Sequence, residues 1–531
     1  MKQEKLLLWG LVLMFAVLMS VPFLVPHCGF FALFGMVPLL CLERVATLSG
    51  VKRVWIWHYS AFVLWNAFTT FWVCNATVGG GIFAVLANSL QMSLVFGAFR
   101  LSRKRLGGVL PYIFLATLWI AWERFYFDAE ISWPWLVLGN AFAGSPFCIQ
   151  WYEYTGTLGG SLWIWASNLS IFGLMVSFSD GSWQNFNAKA RFASVSGLLI
   201  LLVAPFVVSG IIFNKYEESR NPLEICILQP NIDPYNKFGG MDRNQQDALL
   251  EGQIRSAMAG KDSSERLLFI APETFTDNVV VGDWLSNPTI LRFERILREY
   301  PGCGILFGAS TYSIFRSSSR PSNTARQLRD GRWIESHNSA LMMEAGREPE
   351  IYHKSRLVVA VEKTPYPALF CRIDDWLGGV MGRNVGQDSV SVLNFDGIPV
   401  GCAVCYESVY GEFCTEYVKA GARLMTVITN DAWWGDTPGY RQHLRYASLR
   451  AIETRRDIAR CANTGISAII DQRGIIQQRT DWWERQILRT RVNLNDGQTF
   501  FVTYGDITGR ICSFVALLLA ALFLVRLLTV R

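Results

Sequence analysis

The sequence predicts a helical membrane domain of about eight spans joined to an α/β domain, and three observations lead to that fold class. Hydrophobic residues make up 51% of the 531 positions and charged residues only 17%, a balance typical of membrane proteins. Long apolar runs occur within residues 6–213 and again at 511–530, whereas residues 214–510 are polar. In the polar segment, short β-branched runs alternate with helix-like stretches, which is typical of layered α/β domains.

Eight apolar runs are candidate membrane spans, because each approaches the ~20 residues that cross a ~30 Å hydrocarbon core. They cover residues 6–25, 28–43, 54–74, 80–99, 108–126, 161–178, 193–213 and 511–530. The first resembles a signal peptide, but no small-residue cleavage site precedes Pro26, so it is predicted to stay as a helix. The expected domains are therefore 1–215 in the membrane, 216–508 outside it, and a final membrane helix at 509–531.

Lysine and arginine are distributed unequally between alternate loops, which predicts the orientation of the chain. One side receives eleven of these residues and the other side only Arg124. The eleven are Lys2, Lys5, Arg44, Lys52, Arg53, Arg100, Arg103, Lys104, Arg105, Lys189 and Arg191. Both termini are therefore predicted to be cytoplasmic, with the polar domain on the opposite side. These anchors explain much of the net charge of +6, so no nucleic-acid partner is indicated.

The polar domain is predicted in some detail from its periodicity. Strands are expected at 224–232, 266–274, 304–311, 398–408 and 423–431, helices at 241–260, 288–300 and 439–460, and a hairpin at 465–474. The arginines of the 439–460 helix are expected to be solvated or paired with Glu453 and Asp457, with one or two near phospholipid phosphates. Residues 363–389 are expected to form an irregular loop, which either covers an acyl chain at a membrane interface or packs on the domain.

Three residues that carry chemistry follow predicted strands, where α/β sheets collect ligand-handling groups: Glu273, Lys354 and Cys405. Each alone has an ordinary structural explanation: Glu273 as a helix cap, Lys354 as a solvated lysine and Cys405 as a small buried hydrophobic residue. Together they supply a base, a cation and a nucleophile, the set that acyl transfer requires. The five histidines lack the spacing of a zinc site, and no metal is expected.

The stretch "GCAVC" places Cys402 and Cys405 in a CxxC arrangement, so a redox pair is the alternative. Cys402 lies inside an extended apolar run, in which three residues span ~10 Å, too far for a disulfide. We therefore predict that Cys402 is a core residue and Cys405 the nucleophile. The spacing of the other cysteines does not suggest a disulfide framework.

The segments "LLFIAPET", "YHKSRLV" and "GCAVCYES" resemble the Glu-Lys-Cys triad segments of the nitrilase superfamily, and residues 429–474 resemble its segment after the nucleophile. With seven helices before the polar domain and one after it, the whole chain resembles the apolipoprotein N-acyltransferases. The resemblance implies an α-β-β-α sandwich. It makes Glu273 the base, Lys354 the oxyanion stabiliser and Cys405 the nucleophile.

The same resemblance implies supporting or substrate-binding roles for Phe238, Glu362, Tyr406 and Glu407. "QPNI" matches the first-strand motif, and "WPWLVLGN" and "QWYEYTGTLGG" look like the family's extracytoplasmic loop between the fifth and sixth helices. The sequence departs from the family pattern in three places. "LFIAPET" lacks the Trp often found before the Pro-Glu pair, "VVAVEKTPY" replaces Pro-Phe-Gly-Glu after the lysine, and Phe238 stands where some members have Trp.

The activity implied by the resemblance is lipoprotein maturation in the bacterial inner membrane. A phospholipid donates an acyl chain to Cys405, and the thioester passes it to the N-terminal amine of S-diacylglyceryl-cysteine on a lipoprotein. No cofactor is implied, and a monomer with a periplasmic catalytic domain is expected.

Three alternatives remain open at this point. A membrane-anchored amidase of nitrilase type would share the triad and differ only in its products. A transporter predicts ionisable residues within the spans, and these are few. A non-catalytic binding module is expected to have lost a triad residue.

Overall fold

The computed structural model describes residues 2–234, 240–376 and 381–529. The chain divides into two compact units. Unit 1 combines Met1–Tyr216 with Tyr504–Arg531, and unit 2 is Glu217–Thr503. The last helix therefore belongs to the same unit as the N-terminal helices, although 287 residues separate them in the chain.

The regular secondary structure in the described residues of unit 1 is entirely helical. Its α-helices are Lys2–Leu24, Ala32–Gly35, Val37–Leu48, Trp55–Thr70, Val73–Ala76, Val78–Ser102, Leu110–Asp128, Tyr152–Ser179, Ala188–Lys215 and Ile507–Thr529. Short 3-10 turns lie between them at Gly29–Phe31, Pro134–Leu136, Leu138–Phe142, Pro146–Cys148 and Ser182–Asn185. The predicted helical membrane bundle is therefore confirmed.

Six helices of the described chain, rather than the predicted eight, are long and apolar enough to cross a membrane. The runs at 54–74 and 108–126 do form helices, Trp55–Thr70 and Leu110–Asp128, but these are not among the six. The first has 16 residues, which reach only ~24 Å at the α-helical rise. The second carries Glu123, Arg124 and Asp128 in its last two turns, which lower its apolar character.

Two pairs of buried polar side chains in unit 1 hydrogen-bond with one another, as buried polar groups usually do. The Nδ2 group of Asn88 donates to the Oδ1 atom of Asn66 at 2.7 Å, and the Ser93 hydroxyl lies 2.8 Å from the Nδ1 atom of His58.

The segment at 150–160, expected as part of a loop, is largely helical, because the helix Tyr152–Ser179 begins nine residues before the predicted span. Gly156, with φ +59°, interrupts it.

Unit 2 contains fourteen strands among its described residues. They are β1 (Pro222–Gln229), β2 (Leu267–Ile270), β3 (Thr276–Val280), β4 (Cys303–Phe315), β5 (Arg326–Gln327), β6 (Trp333–Glu344), β7 (Glu350–His353), β8 (Leu393–Phe395), β9 (Ile398–Val404), β10 (Leu424–Thr429), β11 (Ile458–Ala462), β12 (Ala468–Ile470), β13 (Ile476–Arg479) and β14 (Gln486–Asn493). Its α-helices are Arg243–Met258, Pro288–Glu299, Pro367–Trp376, Gly411–Lys419 and Pro438–Thr454, and Phe500–Tyr504 leads into unit 1.

The strands form two mixed sheets. The first has the order β14-β1-β2-β4-β6-β5, with β3 paired to β4 and β7 paired to β6. The second has the order β13-β12-β11-β10-β9-β8, in which β12 and β13 form the predicted hairpin. The pairs β1/β2, β2/β4, β9/β10 and β10/β11 are parallel, so the carboxyl ends of neighbouring strands lie at one edge of each sheet.

The two sheets pack face to face, with helices on the outside. Alternate residues of β1 face different layers, as the pleat dictates. Ile225 and Ile227 join the core between the sheets, which also contains Val404 and Ile428, whereas Leu228 joins a second core against the helices Arg243–Met258 and Pro288–Glu299. Ala447 and Ala451 of the helix Pro438–Thr454 pack on the second sheet. The predicted α-β-β-α sandwich is confirmed.

Residues 363–389 are not the irregular loop that was expected, because Pro367–Trp376 is an α-helix with proline at its start. Asp374, which is fully buried, accepts from the N–H of Met381 at 2.8 Å and pairs with the buried Arg383 at 2.7 Å. The helix nevertheless exposes large apolar side chains, with 59% of Leu369 and 85% of Trp376 accessible.

The predicted helix at 439–460 ends at Thr454, and Ile458–Ala462 is strand β11. Arg455 adopts φ +49°, a left-handed conformation that terminates the helix. The expected solvation of its arginines is wrong for Arg450, Arg455, Arg456 and Arg460, each of which is buried. Arg450 does pair with Glu453, as expected, at 2.8 Å. Sequence periodicity missed this change because the arginines continue at regular intervals across the break.

Candidate active site

Cys405 is the first residue after β9 and begins the 3-10 turn Cys405–Val409. Its φ of +54° lies in the left-handed region, which a side chain with a Cβ atom adopts only when its surroundings hold it there. Its carbonyl oxygen accepts from the Ser408 hydroxyl at 2.8 Å and lies 3.1 Å from the Nε2 atom of His443. A strained, hydrogen-bonded turn therefore carries the thiol at the carboxyl edge of the second sheet.

Lys354, directly after β7, lies between two carboxylates. Its Nζ atom donates to the Oε1 atom of Glu273 at 3.2 Å and to the Oε1 atom of Glu362 at 2.9 Å. Lys354 is 1% exposed and Glu273 6% exposed, so their contact is shielded from water, whereas the Glu362 side chain is 14% exposed. The structure thus brings together two residues separated by 81 positions in the chain and adds a second acid.

The backbone of Glu273 approaches Gly308 of strand β4 so closely that no side chain would fit at position 308. A Cβ atom on Gly308 would meet the Thr274 nitrogen at 2.4 Å and the Glu273 Cα atom at 2.5 Å. The Gly308 N–H donates to the Pro272 carbonyl at 3.1 Å. Gly308 therefore leaves room for the turn that carries Glu273.

Asn338, in the middle of β6, is a site residue that the sequence reasoning missed. Its Nδ2 group donates to the Oε1 atom of Glu273 at 2.8 Å and to the Oε1 atom of Glu362 at 2.7 Å. Its carbonyl oxygen accepts from the Lys354 N–H at 2.8 Å. The available signal was a polar amide inside a buried, largely apolar strand, "HNSALMM".

The electrostatics of this cluster keep the lysine charged and the thiol neutral. Burial alone lowers the pKa of the Lys354 ammonium, but the Glu273 and Glu362 carboxylates beside it hold that pKa well above its ordinary value. Burial, together with Glu273, holds the pKa of the Cys405 thiol well above its ordinary value, and Lys354 offsets this only in part. A thiol in this state needs a base at the moment of attack, because the thiolate is not preformed.

Glu407 connects the segment after Lys354, which we call the lysine loop, to the turn Cys405–Val409, which we call the nucleophile turn because it begins with the predicted nucleophile. One carboxylate oxygen accepts from the N–H groups of Ser355 and Arg356, at 2.6 and 3.1 Å, and from the Tyr352 hydroxyl at 2.7 Å. The other oxygen accepts from the Val404 N–H at 2.7 Å. Tyr406, the neighbour of Glu407, is buried, with its ring against that of Tyr410. Phe238 lies outside the described residues.

A second buried ionic cluster lies behind Cys405. Asp431 pairs with Arg460 through its Oδ2 atom, and its Oδ1 atom lies 3.0 Å from the Nδ1 atom of His443. Burial raises the pKa of Asp431, but Arg460 and His443 outweigh that effect and hold it at about 2. Burial lowers the pKa of His443, and the Asp431 carboxylate beside it opposes that shift. Because His443 also reaches the carbonyl of Cys405, this cluster supports the strained turn.

Cys402 lies apart from this chemistry. It is 1% exposed in the core between the sheets, opposite Thr426 of β10, and burial raises the pKa of its thiol to about 12. Both Cys402 and Cys405 are free thiols. Across the described residues, no three His, Cys, Asp or Glu side chains are grouped so that they could hold a metal ion.

Two family models match the chain. The model of the apolipoprotein N-acyltransferase N-terminal domain covers residues 15–170, and the carbon-nitrogen hydrolase model covers residues 315–500. The second matched region contains Lys354, Cys405 and Asn338, and Glu273 precedes it. Among solved structures, the chain is similar to an amidase from Nesterenkonia, with a TM-score of 0.36 and 16% identity over 54% of this chain and 95% of that one.

Several similar curated proteins match most of this chain. The apolipoprotein N-acyltransferase of Chlorobaculum tepidum is 28% identical over 520 residues, which cover 94% of this chain and 93% of that protein. The Geobacter metallireducens enzyme is 26% identical, covering 87% and 84%, and Treponema denticola apolipoprotein N-acyltransferase 1 is 24% identical, covering 97% of both. The chain therefore belongs to the apolipoprotein N-acyltransferase family of multi-pass membrane proteins.

Proposed function

We propose that this chain transfers a fatty acyl group from a membrane phospholipid to the N-terminal amine of S-diacylglyceryl-cysteine on lipoproteins, through a thioester at Cys405. The observation that carries the proposal is the buried Glu273–Lys354–Glu362 cluster, which acts electrostatically on the Cys405 thiol. It is supported by the matches to family members over most of the chain.

In the first half-reaction, the Sγ atom of Cys405 attacks the ester carbonyl of the phospholipid, and Glu273 takes the thiol proton. The negative charge that forms on the carbonyl oxygen is stabilised by the Lys354 ammonium and by the backbone N–H of Tyr406. A donor of this kind contributes about 3 to 4 kcal/mol to the transition state in acyl-transfer enzymes. The C–O bond then breaks, the proton passes from Glu273 to the departing alkoxide, and lysophospholipid leaves a thioester on Cys405.

In the second half-reaction, the neutral amine of the lipoprotein attacks the thioester carbonyl. The C–S bond breaks, Glu273 accepts a proton from the attacking nitrogen, and the thiol of Cys405 regains a proton as the amide forms. Glu362 and Glu407 act as supporting residues in this scheme. Glu362 holds Lys354 from the side opposite Glu273, and Glu407 fixes the distance between the lysine loop and the nucleophile turn.

The location that we propose is the bacterial inner membrane, with unit 2 on the periplasmic side and both termini in the cytoplasm. The excess of Lys and Arg on one side, counted over the eight predicted spans, supports this orientation. The exposed apolar side chains of the helix Pro367–Trp376 offer a surface for an acyl chain. The monomer expected from the sequence stays a prediction.

The decisive experiment incubates the purified protein with acyl-labelled phospholipid and a diacylated lipopeptide. We expect a labelled thioester on the peptide that contains Cys405, followed by transfer of the label to the lipopeptide amine. Cys405→Ala should abolish both signals, because it removes the proposed nucleophile. The matched control is Cys402→Ala, which should keep at least half of the activity.

Two outcomes would contradict the proposal. A thioester mapped to Cys402 would overturn the assignment of the nucleophile. Release of ammonia from small amides, without transfer to the lipopeptide, would favour the membrane-anchored amidase instead.

A further inference from the structure

We propose that Asn338 is a positioning residue that holds Glu273 and Glu362 on either side of Lys354, so that Glu273 is kept in place as the base. The inference rests on the proposed function and deepens it. Three contacts carry it: the two donations from Nδ2 to the carboxylates, at 2.8 and 2.7 Å, and the 2.8 Å donation from the Lys354 N–H to the Asn338 carbonyl.

The hydrogen bonds of Asn338 differ from those of buried asparagines with a structural role. Asn287 caps a helix, because its Oδ1 atom accepts from the N–H groups of Thr289 and Ile290. Asn168 likewise uses its amide on backbone groups of Ala32, Ile164 and Met36. These side chains satisfy backbone groups, which is the usual use of a buried amide.

Asn338 instead directs its amide nitrogen at two carboxylates and leaves its Oδ1 atom, which is buried, without a hydrogen-bond donor among the described residues. An unpaired buried acceptor is unfavourable. The reverse orientation of the amide would place Oδ1 against two carboxylates, which only accept hydrogen bonds. The geometry therefore provides hydrogen bonds to both carboxylates and leaves the amide oxygen of Asn338 without one.

The charge balance of the cluster explains why an amide suits this position. Among the ion pairs of the described residues, two carboxylates share the Lys354 ammonium, which leaves one negative charge in excess in a largely buried site. A second cation would neutralise that charge and weaken the base, whereas an unpaired acid would repel its neighbour. An amide adds two charge-assisted hydrogen bonds and cannot titrate, so it stabilises both carboxylates without exchanging protons with the thiol.

Asn338 also aligns the lysine through the backbone. The Lys354 N–H donation to the Asn338 carbonyl extends the β6/β7 ladder by one residue beyond His353. One residue of β6 thus contacts all three members of the cluster. The titratable groups around it are Glu273, Lys354, Glu362 and Cys405, with the stacked imidazoles of His337 and His353 on the neighbouring positions of β6 and β7.

The test compares Asn338→Leu and Asn338→Asp with the matched control Asn287→Asp, a buried amide whose aspartate still caps its helix. Two quantities are measured against pH in the full-length protein: the rate of thioester formation at Cys405 and the rate of Cys405 alkylation by iodoacetamide. We expect Asn338→Leu to slow thioester formation by about 10- to 100-fold at pH 7, the value of one or two lost charge-assisted hydrogen bonds.

Asn338→Asp should be slower still at pH 7, because a third carboxylate disfavours ionisation of the cluster. Its rate should recover as pH rises, so that the acid limb of the profile moves to higher pH by at least half a unit. Asn287→Asp should leave the profile unchanged. If both Asn338 variants lose folded protein but the remainder keeps the wild-type pH profile, the residue is merely structural and the proposal fails.

The alkylation measurement separates this inference from the proposed function. If the wild type forms no thioester but Asn338→Asp still moves the pH dependence of Cys405 alkylation, the positioning role stands and the acyl-transfer function fails. If thioester forms normally and neither Asn338 variant moves either profile, the function stands and the positioning role is overturned.

Discussion

Two buried ionic clusters flank Cys405, and they differ in their balance of charge. In the first, among the described residues, Glu273 and Glu362 both pair with the Lys354 ammonium, so carboxylates outnumber cations in these pairs. In the second, Asp431 and Arg460 pair one to one, and His443 contacts both Asp431 and the Cys405 carbonyl. Asp431, Arg460 and His443 are fully buried, whereas the Glu362 side chain is 14% exposed.

The comparison separates the cluster that we propose to move protons from the cluster that we propose to hold geometry. Glu273, in the first cluster, is the proposed general base. A balanced pair resists protonation, and the low pKa of Asp431 reflects this. We therefore expect changes on the Glu273 side to act on rate, and changes on the Asp431 side to act first on stability.

The largest expected effect is that of Glu273→Gln, which preserves shape and removes the base. Thioester formation should fall by about 10²- to 10⁴-fold, the usual contribution of general-base catalysis. Single-turnover kinetics with labelled phospholipid measure this rate. The unfolding midpoint in detergent should change little by comparison, and near-normal activity in this variant would assign the base elsewhere.

Arg460→Met should reverse that pattern, because it leaves the fully buried Asp431 without its cation. Loss of one partner of a buried ion pair destabilises a protein by about 3 to 5 kcal/mol. Chemical unfolding in detergent measures the free energy of unfolding. The matched control is Arg441→Met, which breaks the exposed pair with Asp436 and should cost less than ~1 kcal/mol. Equal losses in the two variants would remove the distinction between the clusters.

The smallest expected effect concerns the pH dependence of Asp431. Its pKa in the folded protein, about 2, is below the ordinary value of 3.8, so ionisation stabilises the fold. That contribution, about 2 kcal/mol, is fully present above pH 3.8 and is lost as pH falls towards 2. Asp431→Asn should therefore lower the stability at pH 7 and flatten its decline below pH 4. An equally steep acid decline in this variant would show that other groups control it.

Much of the site could be predicted because strand ends are visible in the sequence. Glu273, Lys354 and Cys405 each follow a short apolar run, and sheets collect such ends at one edge. Cys402 could be separated from Cys405 by the same argument, since it lies inside the run. The missed residues, Asn338 and Arg460, lie within strands, where a polar residue signals burial but does not reveal its partner.

Local patterns in the chain were sufficient to predict which segments are helices or strands, which runs are apolar enough for a membrane, and which three residues could form a base, a cation and a nucleophile. Other properties depended on the tertiary structure. The sequence pattern predicted that the arginines after Thr454 are on a solvated helix face, but they are buried in the sandwich. Six helices of the described residues, rather than the predicted eight, are long and apolar enough to cross a membrane. Periodicity records only neighbours within a few residues, whereas Asn338 and Glu273 meet across 65 positions and Arg460 and Asp431 across 29. Such distant pairs form only when strands that are far apart in the chain assemble into one sheet, and only then do buried charges acquire partners.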